Sequence, residues 1–173
     1  MTTVFGCDQK ISKSSAIAEA LGALDEINSF LGLCKVQEKS VSYKLSSVNF
    51  SEIIHQVQQN LFIIQAEVAG AQKSMEESKV KEIEKIIDAI EKNLPPIKTF
   101  FISGGTELSA LFDTARTIAR RAERRVVEVS EEGKVKIDDY SLSYLNRLSS
   151  LLYTLARLTN RKSGINEESP SYQ

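Results

Sequence analysis

Tryptophan is absent from this chain of 173 residues, and histidine occurs once, cysteine and methionine twice each, proline three times and glycine eight times. Two cysteines, Cys7 and Cys34, cannot form a disulfide framework or a thiolate zinc site, which suits a reducing compartment. Glu52 and His55 have the Glu-x-x-His spacing of half a carboxylate-bridged di-iron site. With a single histidine the second half is missing, so that chemistry is excluded. No apolar run approaches the roughly 20 residues of a membrane helix, and no signal-peptide pattern opens the chain. The expectation is a cytoplasmic protein with no membrane contact. Charge of one sign is also lacking: 22 Lys and Arg stand against 23 Asp and Glu, a formal net charge of -1. The protein as a whole therefore has no general attraction for nucleic acid, and any anion binding must be local.

What is present is helical periodicity. With 42% hydrophobic residues the chain can fill one core, and apolar positions recur at spacings of three and four. The spacing predicts a first helix over 15–36, capped by Ser14 or Ser15, with Ile17, Leu21, Leu24, Ile27 and Leu31 on one stripe. Residues 37–49 read as a polar loop. Further helices are expected over 51–72 and 78–93, the latter stopped by Pro95 and Pro96. Residues 97–107, IKTFFISGGTE, read as an ordered loop feeding a fourth helix over 107–131. The Ser103–Gly105 stretch is no phosphate loop, because the Gly-Lys-Ser or Gly-Lys-Thr ending is absent. Gly133 breaks the fourth helix, and Asp138 or Asp139 caps a fifth that reaches Arg161. The expected fold is an all-α, five-helix up-and-down bundle in one domain, residues 1–162, followed by a disordered tail over 163–173.

The fourth helix holds five arginines in the ten positions from Arg116 to Arg125. At about 100° per residue, Ala115, Ile118, Ala119, Ala122, Val126 and Val129 form a narrow apolar stripe that lets a neighbouring helix approach closely. Arg116, Arg120 and Glu123 lie along one flank of it, Arg121 and Arg125 along the other, and Arg124 points outward. Two readings of the first flank stand side by side. One is a salt-bridge network with Asp25 or Glu123, the commoner fate of helix-flank arginines. The other is a local anion site, since a guanidinium is a rigid fork of donors matched to phosphate. Asn28 on the first helix, and Asn146 and Tyr153 on the last, add polar groups at bundle seams that need partners if buried. Lys13, just before a helix N-terminus, is either a phosphate contact or a solvated side chain of the cap.

Four segments, ALGALDEINSFLGL (20–33), FFISGG (100–105), ARTIARRAERRVV (115–127) and LNRLSS (145–150), resemble in order and spacing the PduO-type ATP:cob(I)alamin adenosyltransferases. The resemblance spans about Thr2 to Arg161. It implies a ferritin-like bundle that assembles as a homotrimer, with active sites between subunits, and transfer of the 5′-deoxyadenosyl group of ATP to the cobalt of reduced cobalamin. It implies ATP with Mg²⁺, cobalamin as the second substrate, and no metal ligated directly by protein. By the same resemblance Thr2, Thr3, Lys13, Arg120, Glu123 and Asn146 hold ATP. Arg120 and Phe100 serve catalysis, Phe100 as the aromatic that faces the corrin and excludes its lower nucleotide. Arg116 pairs with Asp25 across the subunit boundary. A cobalamin reductase and an adenosylcobalamin-dependent enzyme are the implied protein partners. The family's N-terminal Thr-x-x-Gly-Asp-x-Gly-x-Thr loop would end at about Thr2-Thr3, where this sequence starts, and Ser150 stands where the family usually has Asp. The reading from a different class is a helical-bundle assembly or regulatory protein, non-catalytic or binding nucleotide without transferring it.

Overall fold

The computed structural model describes residues 2–4, 10–40 and 49–172. Cys7 therefore lies outside the described residues. Five helices make up most of the structure: α1 (Ala16–Ser40), α2 (Phe50–Val68), α3 (Glu77–Glu91), α4 (Glu107–Glu132) and α5 (Asp139–Lys162). Two short strands precede them, β1 (Thr2–Val4) and β2 (Lys10–Ser12), paired antiparallel with Thr2 opposite Ser12. That hairpin was not expected from the sequence, because three-residue strands are too short to show an alternating pattern.

Local chemistry sets the helix ends. Ser15 caps α1, its Oγ accepting from the Ala18 amide. The helix continues four residues past its expected end, since Gln37, Glu38 and Lys39 are good helix formers whose polarity resembles a loop. Gln37 ties this end to the start of α4 by donating to Glu107 at 2.8 Å. α2 stops at Val68, four residues early, where Gly70 turns left-handed at φ 83°. At its start Glu52, half of the rejected di-iron motif, belongs to a cap: its amide donates to Asn49 Oδ1, and His55 is exposed. Thr106 caps α4, Gly133 ends it at φ 68°, and Asp138 caps α5 by accepting from the Tyr140 amide.

α4 packs against both α5 and α1, α3 against α5 and α2 against α1. The alanine stripe permits this double packing: Ala115, Ala119 and Ala122 are fully buried, with Phe112, Ile118, Val126 and Val129 above and below them. Polar groups in the core are matched. Tyr144 accepts from Asn60 at 3.0 Å, and Glu67 of α2 accepts from the Asp138 amide at 2.8 Å and from the Ser141 hydroxyl, so a buried carboxylate anchors the start of α5. Among the described residues no helix is long and apolar enough to cross a membrane.

Candidate active site

The loop between α3 and α4 is anchored at its paired glycines by side chains of α4 and α5. Gly104 and Gly105 hold φ of 126° and 107°, values that L side chains rarely adopt. A Cβ on Gly105 would run into the Asn160 side chain. Asn160 in turn clamps the turn from both sides, donating to Gly104 O at 2.7 Å and accepting from the Thr106 amide at 3.1 Å. From α4, Ser109 donates to Gly104 O at 3.1 Å and Asp113 accepts from the Gly104 amide at 3.2 Å. Burial raises the Asp113 pKa from its ordinary 3.8, against the opposing pull of the Gly104 amide and the Arg116 charge. The product of all this anchoring is a rigid base from which Phe100 projects with 79% of its surface exposed.

Phe100 borders a cleft of about 590 Å³. Ile97 and Phe101 add apolar surface on the loop side, and Arg116, Arg120, Ser149, Ser150 and Tyr153 face them from α4 and α5. The two arginines differ. Arg116 is partly buried, with its guanidinium 5.9 Å from the centre of the Tyr153 ring and its Nε 3.8 Å from Asp113, an ion pair too long for a hydrogen bond. Its Nε is buried and has no hydrogen-bond partner among the described residues. Arg120, one turn on, is exposed. One further turn along, Glu123 accepts from Asn146 Nδ2 at 2.9 Å, and Arg147 donates to Asn146 Oδ1 at 2.6 Å. Glu123 and Asn146 line an adjoining groove of about 510 Å³ with Tyr140, Ser143 and Arg147. On the opposite flank the arginines are neutralised within the chain: Arg121 pairs with Glu26, and Arg125 with Glu128 at 2.9 Å and Glu19 at 3.9 Å. The cluster therefore divides as helical geometry predicts, and the cation-rich flank is the one facing the cleft.

The fold thus brings Phe100, Arg116 and Arg120 to one cleft and Glu123 and Asn146 to its neighbour. Lys13 sits exposed in the turn between β2 and α1, and Asp25 is exposed on α1; neither lines these clefts. Within one chain the carboxylate beside Arg116 is Asp113, not Asp25 or Glu123. The backbones of Thr2 and Thr3 pair with Ser12 and Ile11, and their side chains are outside the described residues. Four residues that organise this region were missed in the sequence: Asp113, Arg157, Asn160 and Glu167. A signal existed for Arg157, a charge one turn after Tyr153 in the run LLYTLARLTN, where a helix face otherwise apolar would bury it and so demand a partner.

The family model for cobalamin adenosyltransferase matches residues 1–159. The chain belongs to that family. The corrinoid adenosyltransferase of Bacillus subtilis (strain 168) is 33% identical to it over 162 residues, covering 91% of this chain and 81% of that protein. The corrinoid adenosyltransferase PduO of Citrobacter freundii is 34% identical over 163 residues, covering 90% of this chain but 46% of that protein, so the chain spans about half its length. Among solved structures, a variant PduO-type ATP:corrinoid adenosyltransferase from Lactobacillus reuteri complexed with cobalamin and ATP superposes with a TM-score of 0.85 at 26% identity, covering 98% of this chain and 93% of that one. The family's helical bundle is therefore the fold of this chain.

Proposed function

We propose that this protein transfers the 5′-deoxyadenosyl group of ATP to the cobalt of cob(I)alamin, giving adenosylcobalamin and triphosphate. The observation that carries the reading is one cleft holding an exposed aromatic, Phe100, opposite Arg120, a cation with no ion pair or hydrogen bond among the described residues. A corrinoid is a broad apolar disc and a nucleotide a polyanion, and this cleft offers one kind of surface to each. The Co(I) electron pair attacks C5′, the C5′–O5′ bond breaks, and the triphosphate leaves with the bonding electrons. Such a displacement needs alignment and stabilisation of the departing charge rather than a general base. Arg120 supplies a fork of donors to the phosphates, and the hydrogen-bonded Glu123 and Asn146 hold the nucleotide beside it. Phe100 covers the lower face of the corrin and excludes the nucleotide ligand there.

Thr2, Thr3 and Lys13 complete the ATP site from an adjacent subunit of a homotrimer, in keeping with the exposed position of Lys13 outside the cleft that holds Arg120. The same assembly gives the orphaned Nε of Arg116 an acceptor, Asp25 of the neighbouring copy, exposed on α1 and free to reach outward. Mg²⁺ arrives on the triphosphate, whose oxygens are its natural ligands. The protein acts in the cytoplasm, receiving reduced cobalamin from a reductase and handing product to an adenosylcobalamin-dependent enzyme. Incubation with ATP, Mg²⁺ and chemically reduced cobalamin tests the reading: light-sensitive adenosylcobalamin is expected. Binding of ATP without any such product would favour a nucleotide-binding assembly protein instead.

A further inference from the structure

Arg157 is the one buried cation among the described residues, at 5% exposure. It lies on α5, one turn from Tyr153 and one from Asn160, on the face that holds the loop before α4. Its Nη2 donates to Pro95 O at 2.8 Å, and its guanidinium lies 5.4 Å from the centre of the Phe101 ring. The counter-charge comes from the C-terminal tail: Nε and Nη2 fork onto the two carboxylate oxygens of Glu167, Nη2 to Oε2 at 3.0 Å. The next tail residue is also tied down, because the Ile102 amide donates to Glu168 O at 2.8 Å. The stretch expected to be disordered thus crosses back over the loop. Arg157 contacts Pro95 and Phe101, the tail holds Ile102, and Phe100 stands between these points.

We propose that the Arg157–Glu167 pair is a latch by which the C-terminal tail fixes the loop carrying Phe100, making both residues positioning residues for the corrinoid side of the cleft. The assignment to the corrinoid rests on the adenosyltransferase reading above. Glu167 lies beyond residues 1–159, the part matched by the family model. Physically the pair is a bidentate charge-assisted contact, the geometry in which an arginine fork is hardest to replace. Without the carboxylate, Arg157 keeps a buried charge accompanied by the Pro95 carbonyl and the ring faces of Phe101 and Tyr153, with no counter-charge in contact, so the guanidinium must move toward water. The loop contacts at Pro95 and Phe101 move with it. Arg120, Glu123 and Asn146 share no hydrogen bond with this network, so nucleotide binding is left alone.

The test uses the full chain with Glu167→Gln, a change on the tail that leaves the bundle core untouched, and Arg157→Lys as a second variant. Amide hydrogen exchange across residues 96–105 and the KM values for cob(I)alamin and for ATP are measured on each, with the melting temperature. The expected result for Glu167→Gln is exchange at Ile102 faster by roughly tenfold and a corrinoid KM raised by about five- to tenfold, with the ATP KM within about twofold, as expected for displacement of one substrate-positioning loop. Arg157→Lys should shift the same two readouts, because an ammonium cannot span Pro95 and both carboxylate oxygens. Unchanged exchange in the loop would overturn the latch. Faster exchange with an unchanged corrinoid KM, or an equal rise in both KM values, would overturn the positioning role. If the unmodified protein forms no adenosylcobalamin, the enzyme reading and the corrinoid role fall together, while the exchange data still decide whether the latch holds the loop.

Discussion

The Arg116 guanidinium stacks over the Tyr153 ring at 5.9 Å while its buried Nε has no hydrogen-bond acceptor among the described residues. A buried donor left unmatched costs about 1 to 3 kcal/mol, and that cost disappears if assembly supplies the partner. We expect Arg116→Ala to weaken the proposed homotrimer more than Arg124→Ala, whose side chain is exposed on the outer face of α4. Sedimentation across a concentration series checks this. Equal dissociation of the two variants would remove Arg116 from the interface.

Arg120→Lys keeps the charge and loses the fork. The expected loss in kcat/KM for ATP is about 1.5 to 3 kcal/mol, the range for hydrogen bonds to charged groups, with no change in melting temperature because the side chain is exposed. Steady-state kinetics with saturating cob(I)alamin would reveal it. Unaltered ATP kinetics would leave Arg120 as a surface cation.

Phe100→Ala should impair adenosylation of cobalamin more than that of cobinamide, which has no lower nucleotide to displace. Since Phe100 is 79% exposed, its truncation should not incur the roughly 3 to 5 kcal/mol of a buried phenylalanine. Unfolding in urea and rates on both corrinoids separate the two effects. Equal losses on the two substrates would refute the displacement role.

The paired glycines give a test of the loop itself. Gly104→Ala meets only the strain of φ 126°, since nothing lies near its Cβ position. Gly105→Ala meets strain and the Asn160 side chain together. We expect about 1 kcal/mol of destabilisation for the first and about 2 to 3 kcal/mol for the second, by urea unfolding. A Gly104→Ala variant less stable than Gly105→Ala would contradict the contact.

Asp113 should leave a signature in the pH dependence of stability. Its folded pKa is raised, chiefly by burial, so protonation favours the folded state. That contribution is fully present below the ordinary value of 3.8 and is lost as pH rises through the raised folded value. Asp113→Asn lacks it. The stability of the unsubstituted protein relative to this variant should therefore fall as pH rises above 3.8, as read from paired melting curves. A difference that does not change with pH above 3.8 would refute the raised folded value.

The helices were legible because their signals are local. Thr106 and Gly133 bracket α4 within one residue of the expected end, and the alanine stripe with arginines on either flank follows from a 100° step alone. The alternation also separated Arg121 and Arg125, which pair with acids on α1, from Arg116 and Arg120. Where the expectation went wrong, the determining contact was absent from the neighbourhood in sequence. Polar Gln37 looked like loop until Glu107, seventy residues away, gave the helix end a partner.

Sequence by itself determined the bundle, the class of its core and the family motifs at Phe100, Arg116, Arg120, Glu123 and Asn146, because periodicity and capping depend on residues at most four apart. Only the tertiary structure decided which of those residues share a cleft. It set Asp113 rather than Asp25 beside Arg116 within one chain, made Gly105 obligatory through Asn160, and joined the tail to the loop through Arg157 and Glu167. Each of these joins groups from different segments, and the burial that makes the pairing necessary exists only once α4, α5 and the loop have closed around them.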